Sequence, residues 1–249
     1  MTSGADLRLH LVRHGETLFN VRQQLQGWCD SPLTVRGRRQ IAALGERMRG
    51  VPLTAAFTSD LLRTRETAAG ALVGHPGLAA TPLTDLREWS FGGWEGQPNP
   101  SLWEPLFARH GLAYGAEGAW DTVAAAGFEA LVDAIADSDD LGMAEDAAQL
   151  WTRMRGAVAS ITDGAATGGA ATGGGATGDV LVVTHGAYLQ TLLPLLVPGT
   201  RLPPGFPNCG IATVRLGADG EAEFLGVDDS CSVVPEPAVT GGGRSTDVA

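Results

Sequence analysis

Leu9-His10-Leu11-Val12-Arg13-His14-Gly15-Glu16-Thr17 is an apolar strand pattern broken at a guanidinium, an imidazole and a glycine. A strand that stops in a glycine turn carries its last side chains to the carboxyl edge of a sheet, where α/β proteins place their ligands. A guanidinium beside an imidazole at such an edge suits an anion held against a nucleophile. Arg-His-Gly occurs a second time, at Arg109-His110-Gly111. That copy follows Phe107-Ala108 in a stretch of helical pattern that Gly111 terminates. No strand leads into it, and it is expected to be inert.

Working outward, the same break recurs. Ala55-Ala56-Phe57-Thr58 reads as a strand ending at Ser59-Asp60, with a helix from Leu61 to Leu72 after it. Val180 to Thr184 is a continuous β-branched run of the kind found in central parallel strands. It ends in His185-Gly186, and Ala187 to Leu196 continues as a helix. Thr34 caps a helix running to Arg49, whose stripe is Ile41, Ala42, Leu44 and Met48. Thr81 to Leu86 reads as a short strand, and Ile211–Leu216 with Glu223–Val227 as a hairpin around Asp219-Gly220. Residues 99–161 are mostly helical in pattern, with Trp103, Leu106, Phe107, Phe128, Leu131, Ile135, Leu150, Trp151 and Met154 as the buried set. Alternating strands and helices predict an α/β fold, a three-layer α/β/α sandwich with a mainly parallel central sheet. Residues 1–234 form one domain in this reading. Gly164 to Gly178 is low-complexity and expected to be a flexible loop, and residues 235–249 a disordered tail.

A chain of 249 residues is long enough for one sizeable core. The formal charge of −11 argues against non-specific nucleic-acid binding. No apolar run approaches the roughly 20 residues that span a bilayer. No signal-peptide pattern is visible at Met1 to Asp6, and Cys29, Cys209 and Cys231 fit free thiols in a cytoplasmic protein. No oligomeric state is read from the pattern.

LVRHGET at residues 11–17 resembles the signature of the histidine phosphatase superfamily, in its phosphoglycerate-mutase-like branch. The likeness continues through Asn20, Gln26-Gly27, Asp30, Pro32-Leu33-Thr34, Gly37 and Gln40. It resumes at Ser59-Asp60-Leu61-Leu62-Arg63-Thr64-Arg65-Glu66-Thr67-Ala68, and at Leu86-Arg87-Glu88 followed by Gly92-Gly93-Trp94-Glu95-Gly96. The resemblance implies the sandwich fold with residues 99–161 as an inserted helical cap near the site. It places a phosphate-binding arginine at Arg63, with Arg65 as the competing candidate. It puts a general acid at Glu88, with Glu95 the competing carboxylate and more simply a partner for backbone donors. Trp89, Phe91 and Trp94 would exclude water and raise the pKa of a nearby carboxyl.

The resemblance implies one mechanism for these residues, through a phosphohistidine. His14 attacks phosphorus in line. Arg13, Arg63 and His185 offset the charge on the equatorial oxygens, and Glu88 protonates the leaving oxygen. Asn20, Gln26 and Gly27 are candidates for substrate contact, and the backbone at Ala187 for phosphate contact. No cofactor or metal is implied, since the side chains supply the charge and no metal-ligand spacing is present. The partner is a small-molecule phosphate ester. The family's dedicated mutases carry a basic Arg-His-Tyr-Gly stretch and an Asn-Lys pair after the catalytic glutamate, whereas this chain reads Glu88-Trp89-Ser90-Phe91-Gly92-Gly93. That form favours a metal-independent phosphomonoesterase over a phosphoglycerate mutase. A non-catalytic phosphate- or phosphopeptide-binding module is the reading from another class, and it would be favoured by loss of the nucleophile or an arginine, neither of which is lost.

Overall fold

The computed structural model describes residues 6–168 and 177–234. Among them lie eight α-helices and a six-stranded sheet. In chain order the elements are β1 (Asp6–Arg13), α1 (Leu18–Arg22), α2 (Val35–Met48), β2 (Leu53–Ser59), α3 (Leu62–Ala71) and β3 (Thr81–Leu83). Then follow α4 (Asn99–Ala108), α5 (Ala119–Ala126), α6 (Glu129–Asp137), α7 (Ala147–Gly168), β4 (Thr177–Thr184), α8 (Gly186–Leu196), β5 (Ile211–Leu216) and β6 (Ala222–Asp228). The sheet order is β3-β2-β4-β1-β5-β6. The first four strands in that order run parallel, and β5 and β6 close the far edge antiparallel.

Strand periodicity of two sorts the core into two layers. Leu7, Leu9, Leu11, Ala55, Phe57, Val180 and Val182 face one cluster, shared with α7, α8 and the helices α4 to α6. Val12, Ala56, Leu181 and Val183 face the other, with Ile41, Leu44 and Met48 of α2 and Ala68 and Ala71 of α3. The three-layer sandwich is thus present, and Thr34 caps α2 by accepting from the Gly37 N–H.

Three expectations change. The helical segment is not all cap: α7 packs on β2 and β4 as a layer helix. Its Met154, Ala157, Ile161 and Ala165 recur at helical spacing and are buried in the same cluster as the sheet. Nor is the Gly/Ala/Thr-rich stretch a loop throughout. Residues 164–168 belong to α7, and Thr177-Gly178 open β4, while 169–176 lie outside the described residues. A Cβ at Gly164 would stand 2.8 Å from Phe57 Cζ, so this glycine lets α7 lie close against β2. Third, Thr81–Leu86 divides into β3 and a 3-10 turn over Thr84–Leu86. Trp151, expected in the core, is half-buried. The tail, 235–249, also lies outside the described residues.

Candidate active site

The sheet register builds the site. Arg13 pairs with Thr184 at the ends of the parallel neighbours β1 and β4, so His14 and His185 leave adjacent strands side by side. Their rings lie edge to face with centroids 5.3 Å apart, and both are buried. His14 Nδ1 is 2.8 Å from the Gly15 carbonyl, which makes it the donor nitrogen and leaves Nε2 with the lone pair. Burial first, then the charges of Arg63 and Arg13, hold His14 well below the ordinary histidine value. Burial, Arg63 and His14 do the same to His185. Both imidazoles are therefore neutral near pH 7.

Arg63 enters from the first turn of α3, directly after β2, and is fully buried. One guanidinium nitrogen donates to Asp30 Oδ1 at 2.7 Å and the Cys29 carbonyl at 2.8 Å. The other donates to the Gly27 carbonyl at 2.6 Å, and Nε has no protein partner. Arg65, two residues further round the turn, is exposed. Arg13 donates to the Phe206 carbonyl through Nη1, and its Nε is likewise buried and unpartnered. A Cβ at Gly186 would stand 3.1 Å from that Nε, so the glycine after His185 gives the arginine its room. Both ring nitrogens of His185 are also buried without a protein partner. Buried donors are nearly always satisfied, so unpartnered ones gathered at one sheet edge mark a place for an acceptor-rich ligand.

Glu88 lies beyond β3 and is buried beside Trp89 and Phe91. Its Oε1 accepts from the Trp89 and Tyr188 N–H groups at 3.0 and 2.6 Å, and its Oε2 from Ala187 N–H at 3.0 Å. The carboxyl group thus sits at the N-terminus of α8, one residue beyond His185. Desolvation raises its pKa against the opposing pull of those three N–H groups. Glu95 is a framework residue. Its two oxygens accept from the Gly27, Trp28, Cys29 and Phe91 N–H groups and so hold the loop that carries Arg63's carbonyl partners.

Gln26 and Gly27 are not among the residues that line the cavity over Arg13 and Glu88, and His14, Arg63 and His185 lie behind its wall rather than in it. Gln26 Oε1 accepts from Thr17 Oγ1 and its Nε2 donates to Ser31 Oγ, so the side chain is consumed in the loop. Gly27 is glycine because a Cβ would fall 2.2 Å from the Trp89 carbonyl. Ala187 reaches the cavity wall, but its N–H is spent on Glu88 rather than kept for a phosphate. Asn20 lines the cavity, with Oδ1 accepting from Thr17 N–H in a capping box and from Asn208 Nδ2. The second Arg-His-Gly copy lies at the end of α4, exposed, with Gly111 at φ +69°.

Sequence reading missed three supports. Thr67 Oγ1 accepts from Gly15 N–H and donates to the Arg63 carbonyl, tying α3 to the turn after His14. Asn208 Nδ2 donates to the His14 carbonyl. Arg153 of α7 donates to the carbonyls of Asp85, Arg87 and Glu88 while paired with Glu145, and so fixes the segment after β3 that presents Glu88. Thr67 was visible in the quoted motif; Asn208 and Arg153 come from segments with no local signal.

A cavity of about 510 Å³ opens over Arg13, Glu88 and Gly186. Its roof comes from α4, α5 and the loop between α8 and β5, through Trp103, Trp120, Leu202 and Phe206.

The model of the histidine phosphatase superfamily (branch 1) matches residues 9–225. A Yersinia enterocolitica protein described as probable phosphoglycerate mutase GpmB is 33% identical over 215 residues, covering 84% of each chain. Among solved structures, a phosphoglycerate mutase from Bacillus anthracis superposes with a TM-score of 0.79 at 26% identity, covering 92% of this chain and 96% of that one. Bacillus stearothermophilus YhfR gives 0.65 at 28% identity, over 88% and 95%. An alpha-ribazole phosphatase from Shigella flexneri shares the fold, at 0.63 and 22% identity, over 92% and 100%. With the family model spanning nearly every described element, and the histidine pair at the carboxyl edge of the sheet, this chain belongs to the histidine phosphatase superfamily.

Proposed function

We propose that the protein is a phosphomonoesterase that works through a phosphohistidine, on small phosphorylated metabolites and without a metal ion. The observation that carries this reading is the geometry around His14. Its Nδ1–H is tied to Gly15, its Nε2 is a neutral nucleophile, and Arg13 Nε, Arg63 Nε and the His185 ring are buried polar groups without protein partners. A phosphoryl group is dianionic and acceptor-rich, which is what such a set of groups binds.

In this mechanism His14 Nε2 forms a bond to phosphorus as the bond to the alcohol oxygen breaks. Arg13 and Arg63 offset the charge on the equatorial oxygens, and neutral His185 donates one hydrogen bond to them. Glu88, whose protonated form burial favours, gives its proton to the departing alkoxide. The Glu88 carboxylate then takes a proton from water, whose oxygen attacks phosphorus as the P–N bond breaks, releasing inorganic phosphate. Asn20 contributes from the wall, where its amide group can meet the ester.

A second reading is phosphoryl transfer between positions of a small acid, supported by the names of the Yersinia and Bacillus anthracis relatives. Product analysis separates the two. Incubation with 3-phosphoglycerate, and separately with p-nitrophenyl phosphate, is expected to release inorganic phosphate faster than 2-phosphoglycerate accumulates. Rapid isomerisation with little free phosphate would establish the mutase instead.

A further inference from the structure

We propose that the cavity beside His14 selects phosphate monoesters whose alcohol carries an uncharged, flat ring system: aryl, arylmethyl or N-heterocyclic. This rests on the phosphatase reading and names the substrate class for it. The observations are the composition of the wall and the packing of its rings on one another. Trp103, Tyr114, Trp120 and Phe128 all line the cavity. They pack edge to face: Trp103 and Trp120 are 5.2 Å apart between centroids, Phe107 behind them is 4.9 Å from Trp120 and 5.7 Å from Tyr114, and Phe128 is 5.8 Å from Trp89. Such a preset aromatic wall offers a ring large contact area at little ordering cost.

The polar part of the wall points the same way. Gln24 Nε2 is held by the Gly96 carbonyl at 2.7 Å, while Gln24 Oε1 is buried with no protein partner. That oxygen is an acceptor for a ring N–H or a hydroxyl. Charge argues against a carboxylate-bearing alcohol. Beyond Arg13, which the phosphoryl group uses, Arg201 is the one other cation at the wall among the described residues, and its Nη1 donates to the Asp121 carbonyl. Asp121 lines the same space and offsets that charge, while Glu16, also at the wall, is paired with Arg36, so the wall keeps no surplus cation for a second anion. A three-carbon acid would also leave most of the aromatic wall uncovered.

The test uses two esters with similar alkoxide leaving groups, benzyl phosphate and glycerol 2-phosphate, together with 3-phosphoglycerate. The expected kcat/KM is tenfold or more higher for benzyl phosphate than for either of the others. Trp120→Leu, at a position only partly buried, should lower the benzyl-to-glycerol ratio about tenfold, mainly through KM. Gln24→Ala should leave benzyl phosphate less affected than a ring ester bearing an N–H group. A preference for 3-phosphoglycerate that Arg201→Ala removes would overturn the proposal, as would an unchanged ratio in Trp120→Leu. If no ester is hydrolysed, the phosphatase reading fails separately. Ring selectivity is then read from tryptophan fluorescence quenching in the His14→Ala protein, where benzyl phosphate should bind at least tenfold tighter than glycerol 2-phosphate and equal binding would refute the selectivity.

Discussion

At the residue scale the account rests on the division of labour between two carboxylates that the motif places seven residues apart. Glu88 is buried against aromatic rings and touches the first turn of α8, while Glu95 is saturated by four backbone N–H groups. Glu88→Gln should slow cleavage of alkyl phosphates by about 10²–10⁴-fold and that of p-nitrophenyl phosphate far less, because nitrophenolate leaves without a proton. Equal losses on both substrates would assign Glu88 a structural role. Glu95→Ala acts differently: it leaves four N–H groups without their acceptor and should cost about 1–3 kcal/mol of stability, measured by denaturant unfolding, with no leaving-group dependence. This distinction was legible in sequence, because the aromatic turn at Trp89 to Trp94 signals burial and a glycine-rich flank signals backbone to be held. The substrate contacts expected at Gln26 and Gly27 were not. A glutamine in a loop bonds to whatever the loop's own fold brings near, and here that is Thr17 and Ser31.

Elements carry the site into register. β1 and β4 are adjacent, and their paired ends make neighbours of His14 and His185, which lie far apart in sequence. The strand pattern and the parallel class were readable from Leu9 to Arg13 and from Val180 to Thr184, and the two histidine junctions followed from them. The extent of α7 was not readable. The glycines and threonine of this run lower its helix propensity, but tertiary packing of Ala157, Ile161 and Ala165 against the sheet carries the helix through residue 168. The link between α3 and the turn after His14 is the Thr67 hydroxyl, bonded to Gly15 N–H at 3.0 Å and to the Arg63 carbonyl at 2.7 Å. Thr67→Val keeps the shape and removes both bonds. It should raise KM for p-nitrophenyl phosphate and weaken vanadate inhibition several-fold, with a stability loss of about 1–2 kcal/mol. Unchanged vanadate affinity would show that the tie does not position the arginine.

For the whole molecule the buried titrating groups set a pH dependence whose sign is fixed. His14 and His185 have pKa values below the ordinary 6.5, so the unfolded chain binds more protons at mildly acid pH. Their contribution to stability is full above about 6.5 and is lost as pH falls below it. Glu88 works in the opposite sense. Its pKa lies above the ordinary 4.5, so the stability of its protonated form is present below that value and is lost as pH rises through the folded pKa. Urea midpoints should therefore fall between pH 6.5 and 5, and His185→Gln should flatten that slope; an unaltered slope would mean that His185 takes up its proton equally in the folded and unfolded states. The central claim is that His14, and not His110, carries the phosphoryl group, and it is tested most directly by intact-protein mass spectrometry after rapid mixing with p-nitrophenyl phosphate. One acid-labile phosphoryl group is expected on the wild-type and His110→Ala proteins and none on folded His14→Ala. Labelling that persists in His14→Ala, or that disappears in folded His110→Ala, would contradict the account.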